Sequence, residues 1–250
     1  MFCRSFRDNW LHSRGERDSP SPTVVPTPVV TKARNWAGYI SASDLQTPHP
    51  NVTGIRGSWT VPAVAPSTNN SYSAVWIGVG GQYDHTLIQC GTEQDFVNGQ
   101  TIYSAWYELL PNRAIMVQSM HVLPGDQIQA SIQLVNINTD AWFINITDVT
   151  TGSSFQHTFL YASTQLSAEW IIERPTVNSI LSPLANFGNV TFTNCCASIG
   201  ANLGGITDFP CIKTVMYTTL DTGSDSIQLT DVSSPNVNGT SFTVSFLASR

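Results

Sequence analysis

The sequence predicts an all-β fold, in which two antiparallel sheets pack face to face or one sheet closes into a barrel. Short apolar runs recur along the chain and are separated by turn clusters such as PGDQ, TTGS and DTGSD. In the clearest runs apolar and polar residues alternate with the period of a half-buried strand. No segment has convincing helical periodicity beyond one turn near 182–188. Many short strands with frequent turns are typical of sandwiches and barrels.

The predicted strands follow one another from near residue 54 to near the C-terminus. The run at 126–135 has the clearest alternation, because Ile128, Ala130 and Ile132 are each flanked by Gln or Ser. The run at 241–248 repeats this alternation with phenylalanine, valine and phenylalanine. The other predicted strands are at 54–62, 72–80, 101–109, 114–122, 141–149, 154–161, 168–173, 189–194, 212–219 and 226–230.

A chain of 250 residues suits one domain, here preceded by a leader. Residues 1–34 are basic and Ser-rich, and four prolines between 20 and 28 favour an extended, disordered tether. This segment is predicted to be a removable leader or pro-segment, with a plain disordered tail as the alternative. Residues 35–250 are predicted to form the β-sandwich domain.

The body of the chain is acidic and poor in charge. Only 11% of all residues are charged, against about a quarter in an average protein. Six of the 11 Lys and Arg residues and three of the 17 acids lie within 1–34, which leaves five bases and 14 acids in 35–250. Nucleic-acid binding requires clustered Lys and Arg, so this composition argues against it. Repulsion in acid is also small, because few bases remain once the carboxylates are protonated.

Signals for the location of the protein are mixed. No run of 18 apolar residues is present, so no membrane-spanning helix is expected. The N-terminal segment also lacks the apolar region of a signal peptide. Five Asn-x-Ser/Thr sequons nevertheless favour secretion, and they begin at Asn51, Asn69, Asn145, Asn189 and Asn238. We expect a secreted monomer.

Common metal and cofactor motifs are absent from the sequence. There is no HExxH, no GxSxG, no Walker loop and no GxGxxG that opens a helix. The five cysteines show no CxxC spacing, so no zinc site is expected. Cys211 could pair with Cys195 or with Cys196, and the sequence does not choose between them. We expect no metal and no cofactor.

Two polar residues on predicted strand faces are candidates for chemistry. Glu169 shares a face with Ile171 and Glu173, while the alternate residues of the strand are apolar. A glutamate in that position either pairs with another group or lines a groove. Gln89 shares a strand face with Leu87, and a buried amide can accept a hydrogen bond from water while it donates to an oxyanion.

Seven segments, taken in order, resemble the glutamic peptidases, the eqolisin or G1 family. They are NWAGYI at 35–40, GSWTVP at 57–62, AVWIGVGG at 74–81, LIQCG at 87–91, YSAWYELLP at 103–111, PGDQIQASI at 124–132 and AEWIIERP at 168–175. The resemblance covers roughly residues 35–200. It implies a two-sheet antiparallel β-sandwich of the concanavalin A-like or jelly-roll kind, and an acid-acting, pepstatin-insensitive endopeptidase that cleaves polypeptides.

The resemblance also implies roles for individual residues. Gln89 and Glu169 match the catalytic pair, and the residues that match the lining of the substrate groove are Trp76, Trp106 and Glu108. Two positions depart from the fungal members, because Gly80 and Ser104 stand where those proteins have Asp. Cys90 is a third difference, but its side chain should face away from Gln89, so a thiol nucleophile is not expected.

The implied mechanism is general-base hydrolysis through one carboxylate. Glu169, with an ordinary glutamate pKa of about 4.3, would take a proton from a water held between it and Gln89. Gln89 would donate to the developing oxyanion, and Glu169 would then protonate the leaving amine.

Two other functions fit the same sequence. A β-sandwich that is rich in Trp and poor in charge also suits a carbohydrate-binding domain, or a retaining glycosidase in which Glu169 and Glu108 form the carboxylate pair. The third possibility is a family member that folds but no longer cleaves, because of the changes at Gly80 and Ser104.

Overall fold

The computed structural model describes residues 27–221 and 225–250. These residues form strands and one short 3-10 helix, at Ile206–Asp208. The strands, in chain order, are β1 (Val29–Ala33), β2 (Trp36–Ser41), β3 (Val52–Thr60), β4 (Ala74–Gly80), β5 (Leu87–Val97), β6 (Gln100–Leu109), β7 (Ile115–Met116), β8 (Gln127–Asn136), β9 (Ala141–Asp148), β10 (Ser154–Leu160), β11 (Ala168–Glu173), β12 (Thr176–Val177), β13 (Ile180–Leu181), β14 (Asn189–Ile199), β15 (Asn202–Gly204), β16 (Cys211–Met216), β17 (Thr230–Val232) and β18 (Phe242–Phe246).

The strands form two eight-stranded sheets and a small hairpin. Sheet A has the order β1-β16-β2-β11-β4-β5-β6-β7. Sheet B has the order β10-β9-β8-β3-β14-β18-β17, and β15 pairs with β14. The hairpin consists of β12 and β13. The predicted all-β sandwich is therefore the observed architecture, and the closed barrel that the pattern also allowed is not.

The core lies between the inner faces of the two sheets. It contains the alternate residues that the sequence pattern assigned to one face, such as Ile128, Ala130 and Ile132 of β8. Two tryptophans satisfy their indole N–H groups across this core, as most buried tryptophans do. Trp59 of β3 donates to the hydroxyl of Thr92 on β5 at 3.0 Å, and Trp170 of β11 donates to the carbonyl of Arg56 on β3 at 2.8 Å.

The end of the predicted leader differs from expectation. Residues 1–26 lie outside the described residues, but Val29–Ala33 is a strand rather than part of a disordered tether. It pairs in parallel with β16, from Val29 opposite Ile212 to Ala33 opposite Met216. Valine and threonine favour the extended backbone of a strand, so the β-branched residues after Pro28 add an edge strand to sheet A.

The structure also tests three smaller expectations. The segment 182–188 is not helical. Cys211 is a free, buried thiol, so it pairs with neither Cys195 nor Cys196. Among the described residues, no helix is long and apolar enough to cross a membrane.

Candidate active site

The predicted catalytic residues lie in one row across the middle of sheet A. Glu169 of β11 is opposite Gly78 of β4, Gly78 is opposite Gln89 of β5, and Gln89 is opposite Glu108 of β6. Residues opposite each other in paired strands project to the same face of a sheet. Glu169, Gln89 and Glu108 therefore share the outer face of sheet A, which is the face turned away from the core.

Gly78 leaves open the space between the two catalytic candidates. A Cβ atom at this position would lie 2.8 Å from Cδ1 of Leu87 and 2.9 Å from Cζ3 of Trp76. Neighbouring strands are about 4.8 Å apart, so the backbones of Glu169 and Gln89 are separated by roughly 10 Å. Two long side chains that reach toward each other across that distance can hold one water molecule between their ends.

Glu169 is fully buried, and neither of its carboxylate oxygens has a hydrogen-bond partner within the described part of the chain. Burial raises the pKa of Glu169 well above its ordinary value, and the negative charge of Asp84 raises it further. The Ser167 hydroxyl opposes this rise in pKa, although no hydrogen bond of normal geometry joins the two groups. The ordinary pKa expected for Glu169 is therefore wrong, because that expectation took no account of burial.

Gln89 is held by Glu108 on the neighbouring strand. Its Nε2 donates to Oε2 of Glu108 at 2.6 Å, and Gln89 is 4% exposed. The Oε1 atom of Gln89 has no hydrogen-bond partner in the described ranges. Since an amide nitrogen has two hydrogens, Gln89 retains one free donor and one free acceptor.

The two tryptophans of the predicted groove occupy the next row. Trp76 and Trp106 lie on either side of Gly91 in the pairing of β4, β5 and β6. Trp76 is fully buried and its indole N–H donates to Oε2 of Glu173 at 2.8 Å. Trp106 is 5% exposed and lines a cavity. Of these two rings, only that of Trp106 faces open space where a ligand could contact it.

A cavity of about 400 Å³ extends from Gln89 along the outer face of sheet A. Sequence reasoning did not assign a role to three of the acids that line it, which are Glu93, Asp95 and Glu173. Burial, with Glu93 close by, raises the pKa of Asp95 to about 7. Burial also raises the pKa of Glu173 to about 7, against the hydrogen bond from Trp76. The sequence signal for Glu93 and Asp95 is the two-residue period of a strand, which places both on the same face of β5 as Gln89.

Comparisons with known proteins identify the family of the chain. The profile described as "Peptidase A4 family" matches residues 34–245. The chain belongs to this family. It is 28% identical over 237 residues to aspergillopepsin-2 of Aspergillus niger, an alignment that covers 85% of this chain and 77% of that protein. The predicted resemblance to glutamic peptidases and the predicted enzyme class, a glutamic endopeptidase, are confirmed.

Solved structures of A4 and eqolisin peptidases share the fold. A crystal structure of scytalido-glutamic peptidase with a transition-state analogue inhibitor has a TM-score of 0.70 at 22% identity, and covers 86% of this chain and 98% of that one. The structure of aspergilloglutamic peptidase from Aspergillus niger has a TM-score of 0.58 at 29% identity, and covers 71% of this chain and 99% of that one.

The structure shows what surrounds Gly80 and Ser104, the two positions at which this A4-family chain departs from the fungal members. Gly80 has a φ of +92°, and a Cβ atom there would lie 2.3 Å from the carbonyl oxygen of Thr86. The backbone therefore excludes any side chain at position 80. The acid close to Glu169 is instead Asp84, in the loop between β4 and β5. Ser104 lies opposite Glu93, near the acids of the cavity.

The Asp84 loop is joined to the segment that leads into β11. Oδ1 of Asp84 accepts hydrogen bonds from the backbone N–H and the hydroxyl of Thr86, at 2.8 and 2.9 Å. The hydroxyls of Thr86 and Thr164 are 2.8 Å apart. Burial acts to raise the pKa of Asp84. The hydrogen bonds from these hydroxyls and from the Thr86 N–H act against burial, and the net result is a lowered pKa. The Asp84 carboxyl group, close to Glu169, therefore ionises more readily than an ordinary aspartate.

Other chemistry at this face of the peptidase finds no support. Cys90 faces the core, as expected, and burial raises the pKa of its thiol. No three His, Cys, Asp or Glu residues within the described ranges are placed to hold a metal ion. Gln89 lies in the row between Glu169 and Glu108 and donates to Glu108, an arrangement unlike the facing carboxyl pair of a retaining glycosidase. Of the described tryptophans only Trp106 lines the cavity at this face, so there is no row of exposed rings of the kind that stacks on sugars.

Proposed function

We propose that this peptidase cleaves polypeptides in acid, with Glu169 as general base and acid and Gln89 as oxyanion donor. One observation carries the proposal, namely the row in which only Gly78 separates the two side chains on the outer face of sheet A. Trp106 and Glu108 extend the site on the β6 side and would contact the substrate, while Trp76 would act by packing beneath it.

The reaction begins with a water between the two side chains. The unpaired Oε1 of Gln89 and the unpaired carboxylate of Glu169 can each accept one hydrogen of this water. Glu169 takes a proton as the water oxygen attacks the carbonyl carbon of the scissile peptide bond. The second hydrogen of the Gln89 amide donates to the oxyanion that forms, while the first remains on Glu108.

The same carboxyl group completes the reaction. Glu169, now neutral, gives its proton to the amine that leaves, and the carbon–nitrogen bond breaks. A buried carboxylate is a stronger base than an exposed one, because burial raises its pKa. Because the base form predominates only above this raised pKa, we expect cleavage in acid to be fastest at the weakly acidic end of the range and to fall as the pH drops.

Substitution of the pair tests this mechanism. Glu169→Gln removes the base, and we expect it to abolish cleavage of casein at acidic pH. Gln89→Ala removes the oxyanion donor, and a loss of about 100-fold to 1,000-fold in kcat is expected. Cleavage by the wild type should continue in the presence of pepstatin, since no pair of aspartates carries the reaction.

A matched control keeps this test specific. Gln129→Ala removes an exposed glutamine from β8 on sheet B, and it should leave turnover unchanged. Near-ultraviolet circular dichroism should be the same for all of these variants. Wild-type turnover by either Glu169→Gln or Gln89→Ala would contradict the assignment of Glu169 and Gln89 as the catalytic pair. If the wild type itself is inactive, the result favours a family member that has lost catalysis.

We also propose that the enzyme is secreted. The asparagines of all five sequons, at Asn51, Asn69, Asn145, Asn189 and Asn238, are at least partly exposed and so accessible to glycosylation. Expression in a eukaryotic host with a supplied signal peptide should yield a glycosylated protein in the medium. A product of unchanged mass after peptide N-glycosidase treatment would count against this proposal.

A further inference from the structure

The cavity beside Gln89 combines apolar walls with an acidic lining. Tyr72, Trp106, Pro175 and Val177 contribute to its sides. The four acids of the lining come from three strands of sheet A, namely Glu93 and Asp95 from β5, Glu108 from β6 and Glu173 from β11. A long side chain with an apolar stem and a polar end fits such a lining.

No basic residue stands among these four acids in the described part of the chain. The described residues that line the cavity include no Lys, Arg or His. Among the described residues, the charges that act on the pKa values of Asp95 and Glu173 come from the acids Glu93 and Glu108, and both raise them. Burial is the larger cause of the raised pKa of Asp95, Glu173 and Glu108. A cation placed in the cavity would offset both effects.

One buried polar atom of the lining is also unsatisfied. Gln89 is 4% exposed and its Oε1 atom has no hydrogen-bond partner among the described residues. Asp95, deeper along β5, accepts one hydrogen bond at Oδ1, from the N–H of Ser73 at 3.2 Å. Buried polar atoms without partners carry a cost of about 1–3 kcal/mol, so a donor supplied by a ligand would be favoured here.

The ligand that fits is an extended cation rather than a metal ion. No three acids of the described chain converge closely enough to coordinate one ion. Instead, the acids are spread along the cavity, since Glu108 lies opposite Gln89, and Gln89 and Glu93 are four residues apart on β5, or about 13 Å. An ammonium or guanidinium group on a flexible stem can reach such acids while its stem packs on Trp106, whose ring also favours a cation.

We propose that this cavity is a specificity pocket for a lysine or arginine side chain of the polypeptide substrate. This inference rests on the proposed function, because it places the basic residue in the same substrate chain whose peptide bond lies between Gln89 and Glu169. Asp95 and Glu173 are the specificity-determining residues, since both line the cavity away from the proposed reacting atoms.

Matched peptides test the pocket. A fluorogenic peptide series carries lysine or norleucine at each position in turn, and the two side chains have the same stem but differ in charge. At a pH of about 6, where a bound lysine ammonium would lower the raised pKa values of Asp95 and Glu173 and so favour their ionised forms, we expect wild type to favour lysine at one position by about tenfold in kcat/KM. Asp95→Asn and Glu173→Gln should each reduce that ratio at least about threefold.

The control variant is Asp231→Asn, which removes an exposed acid from β17 on sheet B and should keep the wild-type ratio. If the norleucine peptides are cleaved but lysine is favoured nowhere, or if the ratio is unchanged in both cavity variants, the pocket inference is overturned while the peptidase proposal stands. If no peptide is cleaved, calorimetric binding of the intact peptides decides the inference. Binding of the lysine peptide about tenfold more tightly supports it, and equal binding overturns it.

Discussion

At the scale of single residues, the behaviour of Glu169 depends on two polar neighbours that lie outside its own strand. Burial sets the pKa of Glu169 high, the charge of Asp84 raises it further, and the hydroxyl of Ser167 lowers it. The two neighbours act on the same carboxyl group with opposite signs. Substitution of either neighbour should therefore shift the acid limb of the plot of kcat/KM against pH, and the two substitutions should shift it in opposite directions.

Ser167→Ala and Asp84→Asn should shift that limb in opposite directions. Loss of the Ser167 hydroxyl raises the pKa of Glu169, so activity should begin at higher pH. Loss of the Asp84 charge lowers this pKa, so activity should begin at lower pH, while the asparagine oxygen can still accept from Thr86. The measurement is kcat/KM against pH, and shifts in the same direction for both variants would contradict the role of Glu169 as the base.

The sequence was sufficient to place Glu169 and Gln89 on strand faces and to separate the polar face of β11 from its core face. It was not sufficient to give the pKa of Glu169, because burial depends on residues that are distant along the chain. Glu93, Asp95 and Glu173 gather in one cavity only because β5 and β11 lie on either side of β4. Strand order of that kind cannot be read from alternation along a single strand.

At the scale of elements, β4 contributes to the site through outward positions that have no side chain. Ala74, Trp76, Gly78 and Gly80 are its outward positions, and only Trp76 has a large side chain. The gap at Gly78 lies between the two catalytic candidates, and Leu87 and Trp76 border it closely. A methyl group at that point would force those side chains to move.

Gly78→Ala should reduce both stability and turnover. Overpacking of this kind costs about 1–3 kcal/mol of unfolding free energy, and displacement of Leu87 would disturb the spacing of Gln89 on the same strand. Gly54→Ala on β3 is the matched control, because the nearest atom to its Cβ lies 3.5 Å away. Urea denaturation and casein cleavage measure the two effects, and equal behaviour of the two variants would exclude the proposed role of the gap.

Most predicted strands are present, and those that differ have identifiable reasons. In the run at 114–122, only Ile115–Met116 pairs with β6, because the chain then turns and buries Val117, Met120 and Val122 in the core. Its apolar content therefore reflects burial rather than strand pairing. β12 and β13 have two residues each, which is too short for any alternation to be visible.

At the scale of the whole molecule, the glutamates of the described chain are concentrated on one face. All four glutamates of the described chain, at Glu93, Glu108, Glu169 and Glu173, lie on the outer face of sheet A. Burial raises the pKa of each of them. The folded state therefore binds more protons than the unfolded chain between the ordinary pKa of a carboxyl group and the raised values.

This difference predicts a protein that is more stable in acid than at neutral pH. A raised folded-state pKa contributes stability that is complete below the unfolded pKa and is lost as the pH rises through the folded pKa. For Asp95, with a pKa raised from 3.8 to about 7, the loss is at most about 4 kcal/mol. Urea denaturation from about pH 4 to pH 7 should show a falling free energy of unfolding.

Asp95→Asn isolates one part of this dependence. The asparagine oxygen can keep the hydrogen bond from Ser73 but cannot ionise. Its stability should therefore fall less steeply with pH than that of wild type. A wild-type stability that is constant or that rises toward neutral pH would contradict the raised pKa values on this face.

The hydrogen bonds of Trp59 and Trp170 bear on how the enzyme admits a substrate. Both join sheet A to β3 of sheet B, one from β5, which carries Gln89, and the other from β11, which carries Glu169. A shared anchor of this kind would hold the strands of the two catalytic candidates at a fixed separation. We therefore expect a substrate to reach the buried Glu169 through movement of the connecting loops rather than of these strands.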